Sequence, residues 1–196
     1  MNRSRGELLA AAASVAETAF IAVVSAAVPA QPAAAAVYLS TETAQRALFP
    51  QAQSFTEAPL TLTDAQKQEI ARIAGPQAPH GELRAWAAVA EQKVIGHVFI
   101  DEVVGRQDFI TYAVGIDAAG KLRPVEVLEY RESHGGDIRL PAWRRQFAGK
   151  TPASPLRVGE DIANISGATL SCQHVTEGVR RIVAVVQMAT KNGSLT

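Results

Sequence analysis

The chain has a single cysteine, Cys172, among 196 residues. No disulfide can close within it, and neither a cysteine metal site nor a dithiol redox pair is available. Excess charge of one sign is equally missing, since 19 basic and 19 acidic residues cancel and no basic stripe of the kind that binds nucleic acid is present. Nucleic acid is therefore not an expected partner. Four histidines, His80, His97, His134 and His174, show no His-x-x-x-His or Glu-x-x-His spacing, so no metal is expected. The chain has no dinucleotide-binding glycine pattern, no phosphate-loop lysine after Gly167 and no Gly-x-Ser-x-Gly elbow around Ser166. These gaps argue against nucleotide-dependent dehydrogenases and serine hydrolases, and no residue is put forward as catalytic. Nor is there a long unbroken apolar run: Glu17 leaves only Thr18 to Ala30, short of the roughly 20 residues of a spanning helix.

A hydrophobic content of 47% is enough to bury a core without staples. Arg3 and Arg5, an Ala, Val, Leu and Ile-rich stretch, and the Ala34 to Ala36 site before Val37 predict an export signal over residues 1–36. The spacing then predicts two helices, Thr41 to Leu48 before Phe49 and Pro50, and Thr63 to Ala74 before Gly75 and Pro76, with a capping box of Thr63 and Gln66. Residues 37–79 are read as a helical segment packing on the main domain, 80–196, with a linker at 76–81. From Leu83 to Tyr130 the period becomes that of strands. Val94, Gly96, Val98 and Ile100 alternate with Ile95, His97 and Phe99; Phe109 to Ile116 and Leu122 to Tyr130 follow, separated by Asp117 to Gly120. Pro124 suits the start or an edge of its strand. A short helix near Trp143 to Phe147 and a C-terminal helix complete an expected α+β fold, a small antiparallel meander with flanking helices.

The C-terminal helix opens on Ser166, Gly167, Ala168, Thr169, Leu170 and Ser171. Val175, Val179, Ile182, Val183 and Val186 fall on one face at i, i+4, i+7, i+8 and i+11, with Glu177, Arg180 and Arg181 mostly elsewhere. A first helical turn exposes unpaired N–H groups and the positive end of the helix dipole, which favour an anion such as a phosphate. The plain alternative is that Ser166 or Thr169 only caps the helix.

The run from Asp161 to Ser171, with Ser166-Gly167-Ala168-Thr169 at its centre, resembles the flavinylation motif of the FMN-binding domain family, found in the C and G subunits of sodium-pumping and Rnf-type redox complexes. A second similarity lies upstream, where Glu132, Ser133, His134, Gly135, Gly136, Asp137 and Ile138 precede Trp143, Gln146, Phe147, Gly149 and Lys150. Many relatives carry an acid three residues before the serine; here that place is Ala163 and the nearest acid is Asp161. Cys172 and His174 follow the motif where small or polar residues are more usual.

The resemblance implies FMN held covalently through a phosphoester on Thr169, attached by an exported flavin transferase, with Ser166, Gly167, Ala168, Ser171, Glu132, His134, Gly135 and Gly136 around it. It also implies work in the periplasm or on the outer face of the cytoplasmic membrane, beside a membrane-bound redox partner. A flavin needs a phosphate anchor, an apolar wall and polar groups at its ring edge, for which Trp143 and Tyr112 are candidate wall residues, although core packing is the favoured reading of each. The expected function is that of an exported electron-transfer flavoprotein. The alternatives are a flavin-dependent terminal reductase of a small molecule and a non-redox binding or sensory module.

Overall fold

Alternating apolar residues build a twisted antiparallel sheet whose two faces are covered by different helices. The structure, a computed structural model, describes residues 36–75, 83–132, 134–193 and 195. Apart from Ala36, the expected export signal lies outside the described residues, as do the 76–81 linker and His80.

Strands β3 (Arg84–Ala90), β4 (Lys93–Val104), β5 (Phe109–Asp117) and β6 (Glu126–Tyr130) form the expected meander. The N-terminal segment adds two more strands, β1 (Ala36–Val37) beside β6 and β2 (Ser54–Glu57) beside β3, giving the order β1-β6-β5-β4-β3-β2. Both helices of that segment form where their caps predict. In α1 (Thr41–Leu48) the Ser40 hydroxyl accepts from the Thr43 amide; α2 (Asp64–Ala74) carries the Thr63–Gln66 capping box. The strand expected from Leu122 begins only at Glu126. Its first residues are turned to other work: the Leu122 amide donates to Lys150 O at 2.8 Å, Pro124 has no N–H to give, and the Val125 amide donates to Arg144 O at 3.3 Å. They therefore fasten the short helix α3 (Pro141–Arg144) and the 3₁₀ turns Gly136–Arg139 and Arg145–Phe147 to the sheet.

The helix α4 (Thr169–Lys191) covers one sheet face, where Phe99, Val103, Tyr112 and Val114 meet Val175, Val179 and Ile182. On the other face α1 and Phe49 cover Val98, Ile100, Ala113 and Leu128, while α2 rests on Ala184 and Val185 of α4 through Ile70. Between residues 182 and 186 the β-branched side chains are helical because burial on this face outweighs a weak local preference. One expectation for α4 is corrected. Arg181 is not on an outer face but 6% exposed, ion-paired with Asp101 of β4, and Asp101 also accepts from the Tyr112 hydroxyl at 2.5 Å. A buried guanidinium is tolerable because its partner carboxylate is buried with it and bonded twice.

The register of β5 and β6 contains one further feature that matters for the site. Thr111 pairs with Glu129, yet Tyr112 pairs with Val127, so Leu128 is an extra residue, a β-bulge. Simple alternation puts Val127 and Tyr130, three apart, on opposite faces. With the bulge, both side chains join the α4 face while Leu128 faces α1.

Candidate functional site

Thr169 is the first residue of α4, and its side chain is exposed. Ala168 is the N-cap and, among the described residues, no side chain caps the helix, so neither Ser166 nor Thr169 serves as the simple cap. The Thr169 hydroxyl instead accepts from Asn164 Nδ2 at 3.1 Å. Gly167 adopts a left-handed φ of +84°, and a Cβ built on it meets nothing within 4 Å. Ser166 is exposed as well. Space, a hydroxyl and an uncapped helix start thus coincide at Thr169, where first-turn N–H groups and the helix dipole favour an anion.

The loop that delivers this turn is fixed by polar contacts. Asp161 Oδ2 accepts from Lys150 Nζ at 2.8 Å, and its carboxylate also accepts the amides of Arg157 at 2.9 Å and Leu156 at 3.3 Å. Burial works to raise the Asp161 pKa, but these hydrogen bonds outweigh it and hold the carboxyl below its ordinary range. Beyond it, the Ala163 carbonyl accepts from Trp143 Nε1 at 2.9 Å, and the Ala163 amide donates to Gln146 Oε1 at 2.7 Å. Trp143, Gln146 and Lys150, all from the aromatic-rich second similarity, therefore serve as the scaffold under the motif. Trp143 is 3% exposed and edge-on to Phe147, and Tyr112 is fully buried, so both candidate ring walls are core residues.

The two stretches singled out in the sequence meet in space. Gly135 has a φ of +83°, and a Cβ there would lie 3.2 Å from Ala168 Cα and 2.8 Å from the Tyr130 hydroxyl oxygen. Only glycine lets the turn come this close to the start of α4. The Tyr130 hydroxyl donates to the His134 carbonyl and lies 3.1 Å from Ser171 Oγ. Ser171 is 4% exposed, so it lies beneath the site, unlike Ser166 and Thr169 on its surface. At Gly136 a Cβ would meet the Arg139 guanidinium at 2.9 Å, and Arg139 in turn lies over the Tyr38 ring.

Glu132 has a specific structural task. Its Oε1 accepts the backbone amides of Arg106, Gln107 at 2.6 Å and Asp108 at 3.0 Å, three donors in the turn between β4 and β5. The same turn is held from the other side by His174, whose Nδ1 lies 2.6 Å from Val104 O and 3.0 Å from Gly105 O. Two carbonyl acceptors require the proton on Nδ1. Sequence reasoning placed Glu132 near the cofactor, but it missed this turn as a third element and missed Tyr130 entirely.

Among the described residues no group of three or more His, Cys, Asp or Glu side chains could hold a metal, and no helix is long and apolar enough to cross a membrane. A cavity of about 320 Å³ lies between α2 and α4, lined by Gln66, Glu69, Ile73, Gln187 and Met188. At 1.5 Å per residue, Gln187 is about 27 Å along the helix from Thr169, so the cavity does not adjoin the site.

The long helix of this α+β fold thus starts at an exposed hydroxyl with no side-chain cap, and the turn at Gly135 is laid against that start. Residues 105–184 match the family profile of the FMN-binding domain. The match takes in the β4–β5 turn, Glu132 to Gly136 and Ser166 to Ser171. The chain is also similar to the G subunit of the Na(+)-translocating ferredoxin:NAD(+) oxidoreductase complex of Acetobacterium woodii, 26% identical over 158 residues, which cover 76% of this chain and 74% of that one.

Proposed function

We propose that this protein is an exported electron-transfer flavoprotein carrying FMN as a phosphoester on Thr169 and relaying electrons between a membrane-bound reductase and an acceptor outside the cytoplasm. The observation that carries the reading is the meeting of the two motif stretches at Gly135 and Ala168, beside an exposed Thr169 at an uncapped helix start. Thr169 Oγ1 would hold the phosphate, with the first-turn amides and helix dipole favouring its charge. Ser166, Gly167 and Ala168 lead into that position and Gly135 lies against Ala168; in this reading His134, Gly136, Glu132 and Ser171 complete the surroundings of the cofactor. Bound there, the flavin would supply reversible electron uptake and release. The protein's part is to hold the group at a fixed place on a rigid sheet and to exclude exchange with free flavin.

Covalent attachment suits a protein sent out by the signal read at residues 1–36, because a dissociating cofactor is lost outside the cytoplasm. A flavin transferase would make the bond. The redox partner is inferred from the relative, which is a subunit of a redox complex.

The test is co-expression of the full chain with a flavin transferase, followed by intact mass and visible absorbance for the native form and Thr169→Ala. The native chain should gain the mass of FMN less one water, and Thr169→Ala should gain nothing. A native chain without added flavin refutes the reading. Flavin on both forms moves the acceptor to Ser166, since Ser171 is buried and engaged by Tyr130.

A further inference from the structure

The Tyr130 hydroxyl joins the stretch from His134 to Gly136 directly to the first turn of α4. It reaches the His134 carbonyl on one side and Ser171 Oγ on the other, and Gly135 passes close enough that a Cβ would lie 2.8 Å from it. A phenol has one proton. Given to the His134 carbonyl, it leaves the Tyr130 oxygen to accept from the Ser171 hydroxyl, so the order of donors is Ser171, Tyr130, His134. Burial raises the phenol pKa above its ordinary value; the Ser171 hydrogen bond and Arg139 oppose this and Glu132 adds to it. The group therefore remains a protonated donor at neutral pH.

Tyr130 reaches this place only because Leu128 is bulged out of the β5–β6 ladder. In a regular strand Tyr130 would face α1, on the side of Leu128. A bulge that disrupts a ladder in order to re-aim one side chain is commonly found next to functional sites. Here it aims a tyrosine at the start of α4.

We propose that Tyr130 is a positioning residue for the flavin: its hydroxyl latches the His134–Gly136 stretch to the first turn of α4, and thereby sets that stretch's place relative to Thr169. The flavin part rests on the Thr169 reading above; the latch does not. Without the hydroxyl, that stretch and the helix start move independently, and the groups around a cofactor on Thr169 lose their fixed geometry.

The experiment uses the full chain as Tyr130→Phe and Ser171→Ala, with Tyr112→Phe as the control that removes a buried tyrosine hydroxyl elsewhere in the same core. In flavin-free protein, hydrogen exchange read by mass spectrometry should speed up roughly tenfold in Tyr130→Phe, in the peptides around 134–137 and 169–172 together, as expected for losing two hydrogen bonds. Ser171→Ala should give a smaller rise in the same two peptides, and the double variant should be no worse than Tyr130→Phe. Tyr112→Phe should leave both peptides at the native rate. No change in Tyr130→Phe, or a change in only one of the two peptides, overturns the latch. In flavin-loaded protein, Tyr130→Phe should alter the visible circular dichroism and shift the midpoint potential while Tyr112→Phe leaves both in place. Loaded Tyr130→Phe with native dichroism and potential overturns the positioning role. If the native chain takes up no flavin at all, the Thr169 reading and the positioning role fall with it, whereas the exchange measurement still decides the latch.

Discussion

Replacing Gly178 with alanine in the middle of α4 separates local preference from packing, because the two predict opposite signs. By helix propensity alone, alanine is favoured over glycine by about 1 kcal/mol in a helix interior. The structure opposes this. A Cβ at Gly178 would collide with the Tyr112 hydroxyl, and would lie 2.9 Å from the ring carbon bearing it and 3.2 Å from Val103 Cγ1. None of these neighbours has room to withdraw. Tyr112 is fully buried and held to Asp101 at 2.5 Å, and Val103 is 1% exposed. Overpacking of this kind costs about 1–3 kcal/mol. Displacing Tyr112 from the Asp101 carboxylate removes a charged hydrogen bond worth about 1.5–3 kcal/mol. After the propensity gain, a net loss near 3 kcal/mol is expected, or roughly 6–12 °C in Tm for a domain of this size. Urea and thermal unfolding of the native chain and Gly178→Ala measure it. Tyr112→Phe removes the atom that the new methyl would strike, so the penalty of Gly178→Ala should shrink by about 1.5 kcal/mol or more in that background. A neutral or stabilising Gly178→Ala, or strict additivity with Tyr112→Phe, refutes the account.

Two further outcomes follow from the loop and the turn. Asp161 has a carboxyl held below its ordinary pKa in the folded state, so its contribution to stability is present above about pH 4, the unfolded value, and is lost as pH falls through the folded one. Asp161→Asn should therefore destabilise the protein at pH 7 and flatten the acid limb of the stability curve; an unchanged limb refutes the assignment. Glu132→Ala leaves the Arg106, Gln107 and Asp108 amides without their acceptor. It should lower stability by about 1–3 kcal/mol, with Glu132→Gln intermediate because one oxygen acceptor remains. An alanine variant as stable as the native chain counts against the turn being held by this side chain.

What could be read from the sequence was mostly what local chemistry decides. Ser40 and Thr63 announce their helices through the capping they perform, and the glycine turn near Asp117 announces its hairpin, since Asp117 Oδ1 accepts the amides of Ala119 at 3.0 Å and Lys121 at 2.9 Å. The strand β2 was not legible. It lies at the sheet edge, none of its residues is fully buried, and pairing with β3 is all that makes it a strand. Arg181 was misplaced because its partner, Asp101, is 80 residues away and no local pattern links them. The site shows the same division. Thr169 and Gly135 were legible as small or hydroxyl residues in recognisable runs, whereas Tyr130 was not, because a bulge in β6 reverses the face that alternation assigns it.

The polar groups on α4 explain why a helix with so apolar a face also needs hydrogen bonds. Ser171, His174 and Arg181, with Gly178 as a close-packing position between the last two, are spaced at 3, 4 and 3 residues, one stripe along the helix beside the apolar Val175, Val179 and Ile182. Each member of the stripe meets a different part of the sheet: Ser171 meets Tyr130, His174 the carbonyls of Val104 and Gly105, Gly178 the Tyr112 ring, and Arg181 the Asp101 carboxylate. Apolar burial is non-directional, so valines and isoleucines hold α4 to the sheet but tolerate small shifts along it. Hydrogen bonds have narrow limits of distance and angle. A shift of one residue, 1.5 Å along the axis and about a quarter turn around it, would break all of them together. The stripe therefore fixes both the height and the rotation of α4, and with them where Thr169 presents its hydroxyl. If Thr169 carries a flavin as proposed, that fixed origin is what the sheet and helix would provide for it.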